Sequence, residues 1–193
     1  VATVFITISL ILTSAEPVEK AFRDAVFQTV SIITTTGFIT ADYLQWQPFI
    51  WFLIFMLMFT GGCAGSTGGG IKIVRQLLLF KNSRLELRRL IHPKAVVPIR
   101  LNKRTIPENI IYNVLAFFII YILIFIFASL FMSILGLDFF TSIGSVAASL
   151  GNIGPGIGLV GPVDHYAFLP GAGKWLLSFL MLIGRLELFL SLI

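Results

Sequence analysis

Two glycine-centred turns constrain this chain most: Thr34-Thr35-Thr36-Gly37-Phe38 and Gly151-Asn152-Ile153-Gly154-Pro155-Gly156, set 117 residues apart. Each follows a mostly apolar segment too short to cross a bilayer, and each precedes a longer apolar one. That order predicts a re-entrant loop, in which a half-helix enters, an extended backbone lines a cavity and a full helix returns. Irregular backbone at membrane depth is tolerated only where it lines water or is buried in protein. Rings of such carbonyls replace the water shell of a potassium ion. A half-helix ending at the turn adds its partly negative C-terminus, which favours a cation there.

Composition supports the same class. Hydrophobic residues make up 57% of the 193 and charged residues 12%, with a mean hydropathy of +0.96, which excludes an ordinary soluble domain. The lone Cys63 excludes an internal disulfide. The net charge of +5 would suit nucleic acid, but ten of the 14 Lys and Arg lie between Lys72 and Arg104, where Glu86 is the single acid. Six of the nine acids (Glu16, Glu19, Asp24, Asp42, Asp138, Asp164) lie in stretches on the opposite side of the apolar spans. Excess Lys and Arg mark a cytoplasmic loop. The basic block is therefore expected inside, against anionic membrane lipid, with both turns open to the outside and no nucleic-acid partner. The start at Val1 and the apolar run at Ile193 predict a piece of a longer polypeptide.

Val1 to Leu12 reads as the outer end of a transmembrane helix, because a span needs about 20 residues. Pro17 suits the first turn of a second helix, with Glu16 and Glu19 at its positive end, running to Ile33. Thr35 and Thr36 then offer backbone and hydroxyl oxygens, and Gly37 permits the twist that turns carbonyls inward. Trp46 and Trp51 are placed like interfacial anchors. Pro48 to Thr60 is an apolar helix of about 20 Å. Ile110 to Leu135 is a full span ended by Gly136, and Asp138 caps Phe139 to Leu150, about 18 Å and too short to cross. An outer loop with Asp164 and His165 leads to a last helix, Trp175 to Ile193. In register, Phe22 matches Phe139, Thr35-Thr36 match Asn152-Ile153, and Gly37 matches Gly154; the order of elements carries the repeat.

Gly61-Gly62-Cys63-Ala64-Gly65-Ser66-Thr67-Gly68-Gly69-Gly70 interrupts the first returning helix. Six glycines in ten residues cannot make a good helix, since each costs about 1 kcal/mol relative to Ala. The membrane is only half to two-thirds crossed at this point, so the loop is expected at depth beneath Gly37. A phosphate-binding loop would need Gly-Lys-Ser/Thr before a helix, whereas Lys72 lies between Ile71 and Ile73. Two readings stay open: a small-residue packing seam and a movable intramembrane gate. The basic segment that follows fits a helix on an anionic membrane surface or a plain orientation signal, ended by His92-Pro93. Arg185 and Glu187 stand in an apolar run, where a central charge costs about 2.5–3.5 kcal/mol. Two residues apart, they do not share a helix face. Arg185 either snorkels to the inner surface or places a positive charge near the pore or the glycine loop.

Taken in order, the two turns, the loop Gly61 to Gly70 with Ile71-Lys72, His92-Pro93-Lys94-Ala95-Val96-Val97-Pro98-Ile99-Arg100 and Gly184-Arg185-Leu186-Glu187 carry a family likeness. The chain resembles the C-terminal half of the membrane subunit of bacterial Trk-type potassium uptake systems, within the Trk/Ktr/HKT superfamily. The likeness covers nearly the whole chain, and the His-Pro to Arg block favours the Trk branch. It implies four helix–pore loop–helix repeats around one pore, of which this chain supplies the third and fourth. It also implies a homodimer of the full-length subunit, a cytosolic nucleotide-binding ring protein as regulatory partner, and the bacterial inner membrane as location. Gly37 and Gly154 would be filter glycines, Gly61 to Gly70 the gating loop, and Arg185 a residue near the pore below the filter. Two repeats cannot close such a pore alone.

The expectation is thus an all-α integral membrane chain with two repeats of a potassium-channel-like pore. Residues 1–74 form a repeat with a broken second helix, 75–108 a basic cytoplasmic connection, and 109–193 the second repeat. K+ is the expected permeating ion, with no covalent cofactor. The filter comprises Thr34, Thr35, Thr36, Gly37, Phe38, Gly151, Asn152, Ile153, Gly154 and Pro155, with Thr35, Thr36, Asn152 and Ile153 as ion ligands. The gate comprises Gly61, Gly62, Gly65, Ser66, Thr67, Gly68, Gly69, Gly70 and Arg185. The isolated histidines and Cys63 make no catalytic arrangement, so no enzyme is expected. The rival is a cation-coupled alternating-access carrier, whose broken helices also meet at the midplane. A non-transporting membrane anchor is a third class, against which the repeated turns argue.

Overall fold

The computed structural model describes residues 1–14, 17–63, 65–66, 68–91, 99–101 and 104–186. Among these, the α-helices are α1 (Ala2–Ser14), α2 (Val18–Ile33), α3 (Pro48–Met58), α4 (Ile73–Ile91), α5 (Glu108–Ile134), α6 (Phe139–Leu150) and α7 (Gly171–Leu186). A 3-10 turn, Tyr43–Gln45, precedes α3. Two short strand pairs complete the order: β1 (Thr60–Gly61) with β2 (Ile71–Lys72), and β3 (Arg100–Leu101) with β4 (Arg104–Thr105).

The helices form where the sequence places apolar residues and caps. Along α2 the buried positions are Ala21, Asp24, Ala25, Gln28, Thr29, Ser31 and Ile32, one face at helical spacing. Asp138 caps α6 by accepting from the Thr141 amide at 3.1 Å. The Thr141 hydroxyl bond holds the Asp138 carboxyl below the usual carboxylate range; partial burial opposes that shift and backbone amides add to it. α5, at 27 residues, is the one helix among the described residues long and apolar enough to cross a membrane, with a length of about 40 Å. Its buried side chains, Ile111, Val114, Tyr121, Ala128 and Met132, recur at spacings of three, four and seven. The opposite face exposes Leu123, Phe127, Leu130 and Ile134, as expected of a helix whose other surface meets lipid.

The interruption after α3 is not wholly irregular. β1 and β2 pair in parallel, Thr60 opposite Ile71 and Gly61 opposite Lys72. Gln76 Nε2 donates to the Phe59 and Ile71 carbonyls at 3.1 and 3.2 Å. A helix broken away from water must satisfy its freed backbone groups within the protein. This pairing does so and closes the neck of the loop. α4 then runs unbroken across residue 74, and β3 and β4 pair antiparallel, Arg100 opposite Thr105 and Leu101 opposite Arg104.

Two expectations need correction, the start of the last helix and the interfacial tryptophans. α7 starts at Gly171, not Trp175, because Pro170 offers its carbonyl to the Lys174 amide at 3.1 Å. Trp46 packs on the core and the Trp51 indole nitrogen is buried, so neither stands free as an interfacial anchor. Trp175, 80% exposed, has the exposure such an anchor requires. α4 ends at Ile91, immediately before His92-Pro93, which lie outside the described residues.

The two halves of the chain share their cores. The cluster of α1, α2 and α3 residues takes in Ala147, Ile153 and Ile157 from the second repeat. The cluster of α5, α6 and α7 residues takes in Ile71 from β2. Phe59 joins them, its ring 5.2 Å from Phe55 and 5.1 Å from Phe125 in edge-to-face contacts, a favoured geometry. A third cluster, Leu78, Ile99, Ile111 and Val114, ties α4 to α5.

Asp138→Ala should destabilise the protein by about 1 kcal/mol, the usual worth of an N-cap, visible as a lower melting temperature in detergent at pH 7. The folded carboxyl titrates below its unfolded value of about 3.9. Its contribution is therefore present above roughly pH 4 and lost as pH falls through the folded value. The gap between variant and parent should accordingly shrink in acid; equal melting at pH 7 would contradict the cap.

Candidate functional site

The ends of α2 and α6 are the same structure built twice. Thr34 and Gly151 donate to the carbonyls of Val30 and Ala147, both at 2.9 Å. Thr35 and Asn152 donate to Ile32 and Ser149, both at 3.1 Å, and Thr36 and Ile153 to Ser31 and Ala148, both at 2.9 Å. The bond from two residues past the helix end back into its last turn is the Schellman closure. It requires the intervening residue to be left-handed: Thr35 has φ 54° and Asn152 φ 55°, the two non-glycine positive values among the described residues. A β-branched residue in this region is a genuine outlier. Gly37 and Gly154 follow at φ 75° and 110°.

The turns touch each other. The carbonyl of Ile153 passes so close over the Cα of Gly37 that any Cβ there would overlap its oxygen. Gly154 has open space at the same position. Beneath them lies the glycine loop. A Cβ on Gly69 would overlap the Gly151 carbonyl, and one on Gly68 would sit 3.1 Å from Thr35 Oγ1. Gly61, Gly69 and Gly70 are buried, Gly62, Ser66 and Gly68 half-buried, and Gly65 exposed. Thr67 lies outside the described residues.

Among the described residues, no hydrogen bond ends on the carbonyls of Thr35, Thr36, Asn152 or Ile153. The side chains are less free than expected. The Thr34 hydroxyl donates to the Val30 carbonyl at 2.7 Å and meets that of Thr36 at 2.8 Å. Asn152 Nδ2 donates to the Met181 carbonyl of α7 at 3.0 Å. Backbone oxygens at two partly negative helix ends therefore remain as the groups that suit a hard cation. Phe38 is 71% exposed, and Pro155 lies against Gly37. Gly184 abuts the Leu150 carbonyl at the end of α6, and the neighbouring Arg185 side chain is exposed. Glu187 lies outside the described residues.

Sequence reasoning missed the hydroxyls behind the turns. Ser31 donates to the Phe38 carbonyl at 2.6 Å. Tyr166 donates to the Gly154 carbonyl at 2.6 Å, and Tyr43, fully buried, to the Gly156 carbonyl at 2.7 Å. Burial pushes both phenols well above their ordinary range, with Tyr166 and then Asp42 adding to the effect on Tyr43. Both stay protonated donors at any physiological pH. Asp42 accepts from the Leu44 amide at 3.0 Å and so sets the 3-10 turn that carries Tyr43.

Comparison with known proteins finds relatives along nearly the whole chain. The model described as TrkH, cation transport protein, matches residues 3–193. The Trk system potassium uptake protein TrkH of Salmonella typhimurium is 47% identical over 171 residues, covering 89% of this chain and 35% of the relative. The protein of the same name from Halomonas elongata is 42% identical over 95% of this chain and 38% of its own length. The crystal structure of the potassium transporter TrkH from Vibrio parahaemolyticus superposes with a TM-score of 0.90 at 39% identity, covering 99% of this chain and 41% of that one. The chain thus spans about two-fifths or less of the length of these relatives.

Alanine at Gly37 and at Gly154 separates twist from contact. Both variants carry the strain of a side chain at positive φ, about 1–2 kcal/mol, but only Gly37→Ala also collides with the Ile153 carbonyl. Gly37→Ala should therefore lose markedly more thermal stability and monodisperse yield than Gly154→Ala. Equal losses would contradict the close approach of the two turns.

Proposed function

Because the chain belongs to the TrkH family of cation transport proteins, we propose that it forms part of a potassium uptake pore in which its two turns supply half of a selectivity filter. What carries this reading is the set of unpartnered carbonyls at Thr35, Thr36, Asn152 and Ile153, held at two helix C-termini by matching backbone closures. An ion entering between the turns exchanges water oxygens for these fixed oxygens, which need no reorganisation to receive it. Gly37 and Gly154 set the twist of the turns, and Thr34, Phe38, Gly151 and Pro155 complete them. The two relatives named above are Trk system potassium uptake proteins, which supports K+ as the ion.

The loop from Gly61 to Gly70 is the proposed gate. Gly69 lies against the Gly151 carbonyl and Gly68 near Thr35, so the loop closes the space below both turns. Its neck is closed by the pairing of Thr60 with Ile71 and Gly61 with Lys72, and opening of the loop above that neck would be the gating step. Arg185, exposed and next in sequence to the Gly184 that meets the end of α6, adds a positive charge to the same region. The remaining repeats of the same polypeptide complete the pore, and two such full-length subunits associate as a dimer. The basic segment 75–108 faces the cytoplasm and meets anionic lipid and the nucleotide-binding ring.

Flux measured through the full-length protein in liposomes tests this proposal. Gly154→Ser, placed where the turn has room for a side chain, should lose the preference for K+ over Na+ while flux persists. Selectivity unchanged in this variant would remove the turn from the ion path. Shortening the loop between Gly62 and Gly68 should raise K+ flux; a fall in flux or loss of folded protein would make the loop a packing seam. Flux that follows the ion gradient fits a pore, whereas saturating flux tied to a second ion fits a carrier.

A further inference from the structure

We propose that Tyr43 and Tyr166 are positioning residues for ion selectivity, each holding one carbonyl of the second turn from behind. This rests on the filter reading above and adds the groups that keep the filter in shape. On its helix side the turn is fixed by the three amide bonds of Gly151, Asn152 and Ile153. Past Ile153 that support ends. The next anchors are the Tyr166 hydroxyl on Gly154 O, at 2.6 Å, and the Tyr43 hydroxyl on Gly156 O, at 2.7 Å. The Gly156 amide is held separately by the Val160 carbonyl at 2.7 Å.

The first turn shows what the phenols replace. There Ser31, on the pore-facing helix itself, bonds the Phe38 carbonyl at 2.6 Å. In the register that matches Gly37 with Gly154, Ser31 corresponds to Ala148, which has no hydroxyl. Phe38 itself corresponds to Pro155, so the bond is not copied atom for atom: Tyr166 supports the second turn from the outer loop one residue earlier, at Gly154, where the second half-helix offers no hydroxyl. The need is greater here, because a cavity of about 190 Å³ lies behind the second turn, bordered by Ala148, Gly154, Tyr166, Ser178 and Met181. Pro155 fixes the peptide that follows Gly154, so the free torsion is that of Gly154 itself, and a change there would swing the Ile153–Gly154 peptide and re-aim the Ile153 carbonyl. Tyr43 reaches across 113 residues from the other repeat, so it also couples the second turn to the first repeat's outer segment.

The test compares Tyr166→Phe, Tyr43→Phe and Gly154→Ser in the full-length protein, reading K+ and Na+ flux in liposomes beside the melting temperature. Each Phe variant keeps the ring and removes one hydroxyl. Loss of one such bond should lower the K+/Na+ ratio by about threefold to tenfold, the range of a typical hydrogen bond. A merely structural tyrosine would lower melting temperature and total flux together and leave the ratio unchanged. An unchanged ratio in both Phe variants, with selectivity lost in Gly154→Ser, overturns the clamp and leaves the filter standing. Selectivity unchanged in all three overturns both. Should Tyr43→Phe fail to fold, Tyr166→Phe decides alone, since its ring is only partly buried and its hydroxyl borders the cavity.

Discussion

Two short helices end in the same left-handed closure, and one turn's carbonyl lies directly over the other's glycine. A residue other than glycine in the left-handed region costs about 1–2 kcal/mol. Here Thr35 and Asn152 both adopt it, and the cost is offset by amide bonds that would otherwise be missing at each helix end. The closure turns the chain away from the helix axis within one residue. It leaves the next carbonyls without partners, beside the partly negative ends of α2 and α6. With a Cβ at Gly37 the turns could not meet, and the carbonyls of the two repeats would lie in separate places.

The surrounding elements follow from that meeting. α2 and α6 are 16 and 12 residues long, so both stop within the thickness of a membrane and need longer helices to carry the chain across. α5 alone among the described residues is long and apolar enough to cross a membrane, and the glycine break separates α3 from α4. The break falls directly beneath the turns, and its ends are tied by β1 and β2. Ile153 and Ile157 sit in the first repeat's core and Ile71 in the second's. Each half of the chain contributes residues to the other's core, so both halves help to set the geometry of the turns.

Much of this was legible in the sequence because it is local. The positions of α2, α5 and α6, the Asp138 cap and the internal register all follow from glycine placement, apolar length and capping residues. The family likeness drew on the same residues. Interactions between distant parts left no such trace. Nothing near Tyr43 marks a hydroxyl bound to a carbonyl 113 residues away, and a tyrosine in an outer loop reads equally well as an interfacial side chain. The β1–β2 pair was hidden because two-residue strands beside six glycines have no periodicity. α7 was placed too late because Gly171 and Gly173 read as loop, while Pro170 and Lys174 supply its first hydrogen bonds.

The central claim is that the free carbonyls of Thr35, Thr36, Asn152 and Ile153 are where the ion sits. Crystals of the full-length protein grown in rubidium would test it directly through anomalous scattering. The account predicts a peak between the two turns, within coordination distance of those four oxygens, that weakens in Gly154→Ser. A rubidium peak elsewhere in the protein, with nothing between the turns, would contradict it.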